Sequence, residues 1–567
     1  VDRVHPIAGG AAAGEPVIGR FLREAGAILL ATVVGLGVLE AVLRIAYLVR
    51  NQAVDVVPLP YVIGHDFGPV PPWVDGLRIL EPDRDLIWHA RPKVHRRYID
   101  VFSPVDQEAD RTRLIRQFLP RVPRSLRANP VWEITLNRAG YRDRDFKAKA
   151  PGVFRVVCMG DSWTFGANVG PEECYPARLR ALLAAEAPAG RFEVLNLGVL
   201  GYTSFQGRVL MTHTVLGLDP DLVVIGYGMN DGDVAGYRDK DMPAYSGMTP
   251  PLKKRVLAVA EKIEIVKLLK YAAVALTYHP KTMAEHIQAK AAAAPGAKTA
   301  DEYAALAEWT RVSLDDYAAN LTTMLDAAEG RRIPVVLMFN ELWEASPYRD
   351  AIGRVAAERG VLLVDSSALL AGRRKEIEAE LEGKLGLAGS AAGAGAALTS
   401  GAEAVADSTV EVLFRVFAGE RPVPRALYLA GAGAELGNAK PNALAMHDDG
   451  TGGDERAGDR VWSYAARLPL GARVAYVYTN SGREGEWEGL DVPLVRQLTV
   501  GGTTGARLVR PIETFGEIPL QADPWHPNAA GYELIAAQVM RAMGQVPAVA
   551  ERIQRTPAAT ARAHTRD

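Results

Sequence analysis

Five apolar runs, at 153–159, 192–197, 221–227, 333–339 and 361–365, show no polar alternation. A strand buried on both faces reads in this way, whereas a half-solvated strand alternates. Segments with helical spacing, such as 176–185 and 314–328, lie between the runs. Strand and helix in turn predict a parallel sheet covered on both faces. A second pattern occupies 426–430, 461–465, 473–478 and 495–500, where short strands alternate, as in a β-sandwich. The stretch 240–310 is too long for one crossover and reads as a helical insertion over 252–275, 284–294 and 299–309, able to serve as a lid.

The longest apolar stretch is 25–49, broken only by Glu40 and Arg44. It is long enough to cross a bilayer, which takes about 20 residues. Glu40 and Arg44 are spaced to pair along one helix face and stand near its end. No small-x-small cleavage site follows, so a retained anchor is expected rather than a signal peptide. Arg3, Arg20 and Arg23 precede the stretch, and no Lys or Arg follows Arg50 until Arg78. The positive-inside rule then puts the N-terminus in the cytoplasm and the rest outside it.

A chain of 567 residues is expected to hold several domains. The patterns divide it into a cytoplasmic tail (1–24), an anchor (25–49) and an N-terminal extracytoplasmic region (50–150). Next come the first part of an α/β domain (151–371), an Ala/Gly-rich connection (372–420) and an inserted β-sandwich (421–505). The second part of the α/β domain (506–545) and a disordered tail (546–567) complete it. The net charge of −2 shows no basic excess and argues against nucleic acid as a partner. Cys158 and Cys174 are the only cysteines, too few for a disulfide scaffold.

Candidate chemistry collects where the apolar runs stop. The first run ends in the sequence GDSWTFG, which places Ser162 at the opening of a helix on the carboxyl edge of the sheet. N–H groups there can stabilise an oxyanion, although Asp and Ser are also ordinary helix caps. The second run leads into NLGVLGYT, with Gly201, and the third into GMND, with Asn230. Near the C-terminus, DPWHP holds Asp523 and His526 ahead of a helix at 529–543.

These four blocks, in this order, resemble the SGNH (GDSL-type) hydrolase family. The resemblance covers about 150–371 and 506–545 and implies a three-layer α/β/α fold with a parallel sheet. It implies Ser162 as nucleophile, His526 as general base and Asp523 as the group that orients the imidazole. It also implies Gly201 N–H, the Asn230 amide and Ser162 N–H as oxyanion donors. The chemistry is consistent, because a serine hydroxyl attacks only when a base removes its proton and a third group fixes that base. Asn-x-x-Gly-aromatic-Arg segments precede the GDS block in anchored members, and 137–142 has that form. Arg142 can therefore reach the site or make a structural salt bridge.

The insert carries a looser pattern, DDGTGGDERAGDRVW followed by LPLG and YVY. It resembles the immunoglobulin-like sandwiches that accompany carbohydrate enzymes. Trp462, Tyr476, Tyr478 and Trp487 are candidate platforms for sugar rings or, equally, sandwich core. The acidic loop 448–459 can be a calcium site or a plain acidic turn, and no metal or cofactor is expected to be needed. Together these features predict an esterase at a membrane, acting on a short acyl group carried by a small molecule or glycan. An O-acyltransferase on an envelope glycan, a lipid or thioester hydrolase and a non-catalytic glycan-binding protein remain open.

Overall fold

A computed structural model describes residues 17–52, 56–58, 72–83, 85–99, 131–233, 238–241, 260, 262–277, 310–342, 346–387, 409–421, 423–431, 433–480, 496–523 and 525–554. Small sheets lead into the main one. Strand β1 (Val56–Pro58) pairs parallel with β4 (His95–Ile99), which pairs antiparallel with β5 (Val131–Thr135). Between them, β2 (Leu80–Asp83) and β3 (Ile87–Ala90) form a hairpin.

The apolar runs form the main sheet. Strands β6 (Phe154–Gly160), β7 (Phe192–Gly198), β8 (Leu222–Gly228), β9 (Val335–Asn340) and β10 (Leu362–Asp365) are all parallel, in the order β10-β9-β8-β6-β7. Every residue of β6 and β8 is buried, which is why neither sequence alternates. The chain steps from β6 to β7 on one side and then to β8 on the other. The carboxyl end of β6 is therefore a switch point, where open α/β sheets place their ligands.

The helices are α1 (Ser162–Phe165), α2 (Tyr175–Glu186), α3 (Ser204–His213), α4 (Leu314–Glu329), α5 (Pro347–Arg359), α6 (Ser366–Lys384), α7 (Ala529–Met543) and α8 (Pro547–Gln554). Helices α2 and α7 pack together on one face, closing a core that includes Val156, Cys158, Val224, Met338, Leu179 and Ile535. Helices α3 and α4 pack against each other. Three glycines lie in one row across the carboxyl edge: Gly160 pairs with Gly198 of β7 and Gly226 of β8. A Cβ on Gly198 would lie 2.1 Å from Phe165 N, one on Gly160 2.2 Å from Thr164 Oγ1, and one on Gly226 2.7 Å from Asn340 Nδ2. The row lets α1 settle onto the sheet and brings Asn340 across it.

The β region is larger than 421–505. Strand β11 (Thr409–Phe417) opens it, and β12 (Tyr428–Gly431), β13 (Leu444–Ala445), β14 (Val461–Pro469), β15 (Arg473–Thr479), β16 (Arg496–Thr499) and β17 (Arg507–Thr514) follow. They form two sheets, β14-β11-β17 and β13-β12-β15-β16, around one core that includes Phe414, Leu429, Leu468 and Leu498. The connection is correspondingly shorter, since α6 runs on to Lys384, and 388–408 lie outside the described residues. Glu382 of α6 ties the two regions: it pairs with Arg415 at 2.7 Å and accepts Ile512 N–H at 3.2 Å. The expected disordered tail also begins too early. Helix α8 buries Val549 and sets Arg552 over the ring of Phe154 at 5.2 Å.

The N-terminal helix, Val17–Gln52, is long and apolar enough to cross a membrane. Its side chains from Phe21 to Leu39 are all exposed, whereas Glu40, Leu43, Tyr47 and Asn51 form a covered stripe one helical face wide. Glu40 takes Arg44 Nε at 2.7 Å and also accepts N–H groups of Glu264 and Ile265 at 3.0 and 3.1 Å. It thus caps a second helix, Glu264–Thr277, in the way a carboxylate suits a helix start. Further along, Tyr271 packs edge-on against Trp73 at 5.3 Å. That second helix falls within the insertion expected at 252–275, but it groups with the N-terminal helix and not with the sheet. The stretches 284–294 and 299–309, and any lid there, lie outside the described residues.

Candidate active site

At the end of β6, Asp161 caps α1, accepting Trp163 N–H at 2.9 Å. Ser162 follows, 5% exposed, as the first helical residue. Its Oγ lies 2.8 Å from His526 Nε2. His526 Nδ1 lies 2.7 Å from Asp523 Oδ2, while Asp523 Oδ1 accepts N–H groups of Trp525 and His526, each at 2.7 Å. With Nδ1–H donating to the carboxylate, Nε2 is left to accept the serine proton. A cross-brace fixes the two loops to each other: Trp163 Nε1, beside the serine, donates to Trp525 O, beside the histidine, at 3.0 Å.

Gly201 and Asn230 border this edge. Gly201 has φ +73°, a left-handed backbone that glycine adopts freely. Asn230 is 7% exposed and donates one amide hydrogen to Tyr202 O at 3.0 Å, which orients the amide and leaves its second hydrogen. The Gly201 loop is buttressed from behind. Arg311 donates to Gly201 O at 2.7 Å and pairs with buried Asp239 at 2.8 Å, which also takes the Thr203 hydroxyl at 2.7 Å. Trp88 of β3 donates to Leu200 O at 3.1 Å, its carbonyl accepts the Tyr202 hydroxyl at 2.9 Å, and Arg311 lies over its ring at 5.1 Å.

Several of these residues carried no sequence signal. Asn168, at φ +62°, donates its amide to Asp523 Oδ2, the oxygen that also holds His526. Asn is among the few side chains at ease in that conformation. Arg142 directs its guanidinium to backbone carbonyls. Buried at 4% exposure, it donates to the carbonyls of Phe165 (3.3 Å), Gly166, Val169 (2.7 Å) and Glu133 (2.8 Å), clamping the loop that carries Asn168. Asn340, at the end of β9, donates to Asp161 at 3.1 Å. Burial pushes the Asp161 carboxyl up to about 7, against the hydrogen bonds from Trp163 and Asn340. Burial likewise pushes Asp231 up to about 8, against two hydrogen bonds from Ser204.

Two of the four candidate sugar platforms of the β region lie in its core. Tyr476 and Tyr478 are 1% and 0% exposed, and both hydroxyls donate to Glu513 at 2.7 Å. Trp462 is half-buried against the same core, and Trp487 lies outside the described residues. In the acidic loop, Asp448, Asp454 and Asp459 bring oxygens within 4.8 Å of one another. Each already accepts loop N–H groups: Gly458 to Asp448 at 3.0 Å, Gly450 to Asp454 at 2.7 Å and Val461 to Asp459 at 2.9 Å.

Residues 158–385 match the GDSL-like Lipase/Acylhydrolase family. No protein of curated function matches the chain. Among solved structures, a putative lipolytic protein of the G-D-S-L family from Desulfitobacterium hafniense is 16% identical, with 38% of this chain and 79% of that one covered at a TM-score of 0.21. A catalytic mutant of Axe2, an acetylxylan esterase from Geobacillus stearothermophilus, is 19% identical over 39% of this chain and 80% of that one, with a TM-score of 0.22. A glycoside hydrolase family 15 glucoamylase from Hypocrea jecorina is 20% identical over 21% of this chain and 19% of that one, with a TM-score of 0.16. The matched span ends before the β region, and His526 and Asp523 return to the sheet from beyond it. Residues 158–385 are thus similar to a GDSL-like lipase/acylhydrolase domain, and the chain adds an N-terminal apolar helix and additional β sheets.

Proposed function

We propose that the chain is a membrane-anchored serine esterase that removes a short acyl group from a carbohydrate through an acyl-enzyme on Ser162. One observation carries the reading: the unbroken line from Ser162 Oγ to His526 Nε2 at 2.8 Å and from His526 Nδ1 to Asp523 at 2.7 Å. Ser162 Oγ attacks the ester carbonyl as its proton passes to Nε2. The tetrahedral oxyanion is met by N–H groups of Ser162 and Gly201 and by the Asn230 amide. Collapse breaks the acyl C–O bond, and Nε2 returns the proton to the departing sugar oxygen. Water then attacks the acyl-enzyme with His526 again as base, releasing the acid and restoring Ser162. Asp523 orients the imidazole and balances its transient charge.

The carbohydrate part of the reading rests on the sequence pattern of the β region, and the anchored, extracytoplasmic placement on the N-terminal helix and its flanking arginines. The test is turnover of a short aryl ester and of an acetylated oligosaccharide by the full chain in detergent, with Ser162→Ala as control. Release of free acid that vanishes with Ser162→Ala supports the reading. Transfer of the acyl group to added glycan without free acid would replace hydrolysis by acyl transfer.

A further inference from the structure

Helices α3 and α4 both begin at the carboxyl edge of the sheet, and a cavity of about 230 Å3 lies at their first turns. Phe205 and Arg208 line it from α3, Asp316 and Asn320 from α4, and Lys240 and Arg311 from the segments ahead of α4. Three cations thus face one space, and two of them have carboxylates of their own. Lys240 pairs with Asp316 at 2.8 Å, and Arg311 with Asp239 at 2.8 Å. Burial pushes the Asp316 carboxyl up, but hydrogen bonds from Lys240 and Ser313 and the charges of Lys240 and Arg238 outweigh it and hold the group below its ordinary value. Asp316 therefore stays charged and committed to Lys240.

Arg208 is different. It makes no ion pair among the described residues; its guanidinium lies over the Phe205 ring at 5.4 Å, and its Nε is buried without an acceptor. Arg208 is half-buried, and a buried guanidinium N–H left without an acceptor is costly; an oxyanion placed in the cavity would supply one. The cavity is also tied to the proposed reaction centre, because Arg311, which lines it, donates to Gly201 O at 2.7 Å.

We propose that this cavity is a subsite for an anionic group, carboxylate or phosphate, on the saccharide whose ester is presented to Ser162, with Arg208 as the specificity-determining counter-charge. The inference rests on the esterase reading and narrows its substrate to an acylated acidic saccharide. A planar guanidinium suits either oxyanion, since it can donate two parallel hydrogen bonds.

The experiment uses the full chain in detergent and has two arms. In the first, kcat/KM is measured on an acetylated uronic-acid oligosaccharide and on a neutral acetylated xylo-oligosaccharide. The charged ester is expected to be preferred, and Arg208→Gln to lower the charged-to-neutral ratio roughly tenfold or more. In the second, calorimetry follows binding of glucuronate and of inorganic phosphate to Ser162→Ala, with and without Arg208→Gln. The stronger of the two heats tells carboxylate from phosphate. Anion binding that depends on Arg208, without turnover of any ester, keeps the subsite and overturns the esterase reading. Ester turnover with no charge preference and no Arg208-dependent heat overturns the subsite and keeps the esterase. If Arg208→Gln fails to fold, the unsubstituted Arg208 protein still decides, because absence of heat with both anions overturns the proposal.

Discussion

The parallel sheet and the β region bury charge in opposite ways. At the carboxyl edge of the sheet, the line runs from Asn168 through Asp523 and His526 and ends on Ser162, a hydroxyl that can hand over its proton. In the β region, Glu513 takes hydroxyls from Tyr476 and Tyr478 at 2.7 Å, with Arg510 at 3.2 Å and Arg496 at 3.5 Å. Both phenols and both guanidinium groups of that cluster meet at the one carboxylate. Burial of a carboxylate is therefore no sign of function by itself. An open end is the distinguishing feature: one network leaves a nucleophile at its terminus, and the other closes on itself and holds two strands and their neighbours in place.

Substitutions can break this contrast. The largest effect is expected at the open end: Ser162→Ala should lower kcat by at least ~10³-fold, with the thermal midpoint kept, as steady-state rates and a melting curve would report. In the β region, Glu513→Ala removes the carboxylate that pairs with buried Arg496 and accepts from two phenols, and should cost about 3 kcal/mol or more. Urea unfolding should show that loss, while kcat per folded molecule holds. If kcat fell in parallel, the β region would be part of the reaction centre and the contrast would fail.

A third test concerns protons. Asp231 has its folded value raised to about 8, above its ordinary range. The folded state then keeps a proton that the unfolded chain gives up. Stability is fully present below the ordinary carboxylate value and declines as pH rises toward about 8, by up to ~1.4 kcal/mol per pH unit. Asp231→Asn should flatten that slope in urea titrations compared at about pH 5 and about pH 7; an unchanged slope would remove Asp231 as its source. The smallest effect is expected at Asn168→Ala, which loses one hydrogen bond to Asp523. A fall in kcat of roughly tenfold is expected, with KM kept, because the amide holds the orienting carboxylate and not the substrate.

What could be read in advance followed from local pattern. The central strands were legible because strands covered on both faces are mostly apolar, and Ser162, Gly201, Asn230 and His526 were singled out as candidates by the family resemblance of the blocks that hold them. The start and end of the β region were not. Strand β17 contains Pro511, which argues against a strand, yet it survives beside β11 because the register shifts between Leu413 and Arg415, opposite Arg510 and Pro511. Arg415 then bonds the Arg510 carbonyl at 2.9 Å. Tyr476 and Tyr478 stayed open to both readings, platform or core, because two residues apart on a strand share a face and nothing in that spacing says which face is inside. Asn168 and Asn340 act on residues far away in sequence, and only the glycine row and the Arg142 clamp bring them there.

The cap that Glu40 makes on the helix Glu264–Thr277 bears on how the protein can be prepared. Cutting the chain after the apolar helix is the usual way to a water-soluble enzyme. Here that cut removes the acceptor of two helix-start N–H groups and the stripe of Glu40, Leu43, Tyr47 and Asn51 on which a neighbouring segment rests. The last turns of the apolar helix are thus scaffolding, and a protein cut after them carries a helix start at Glu264 left raw.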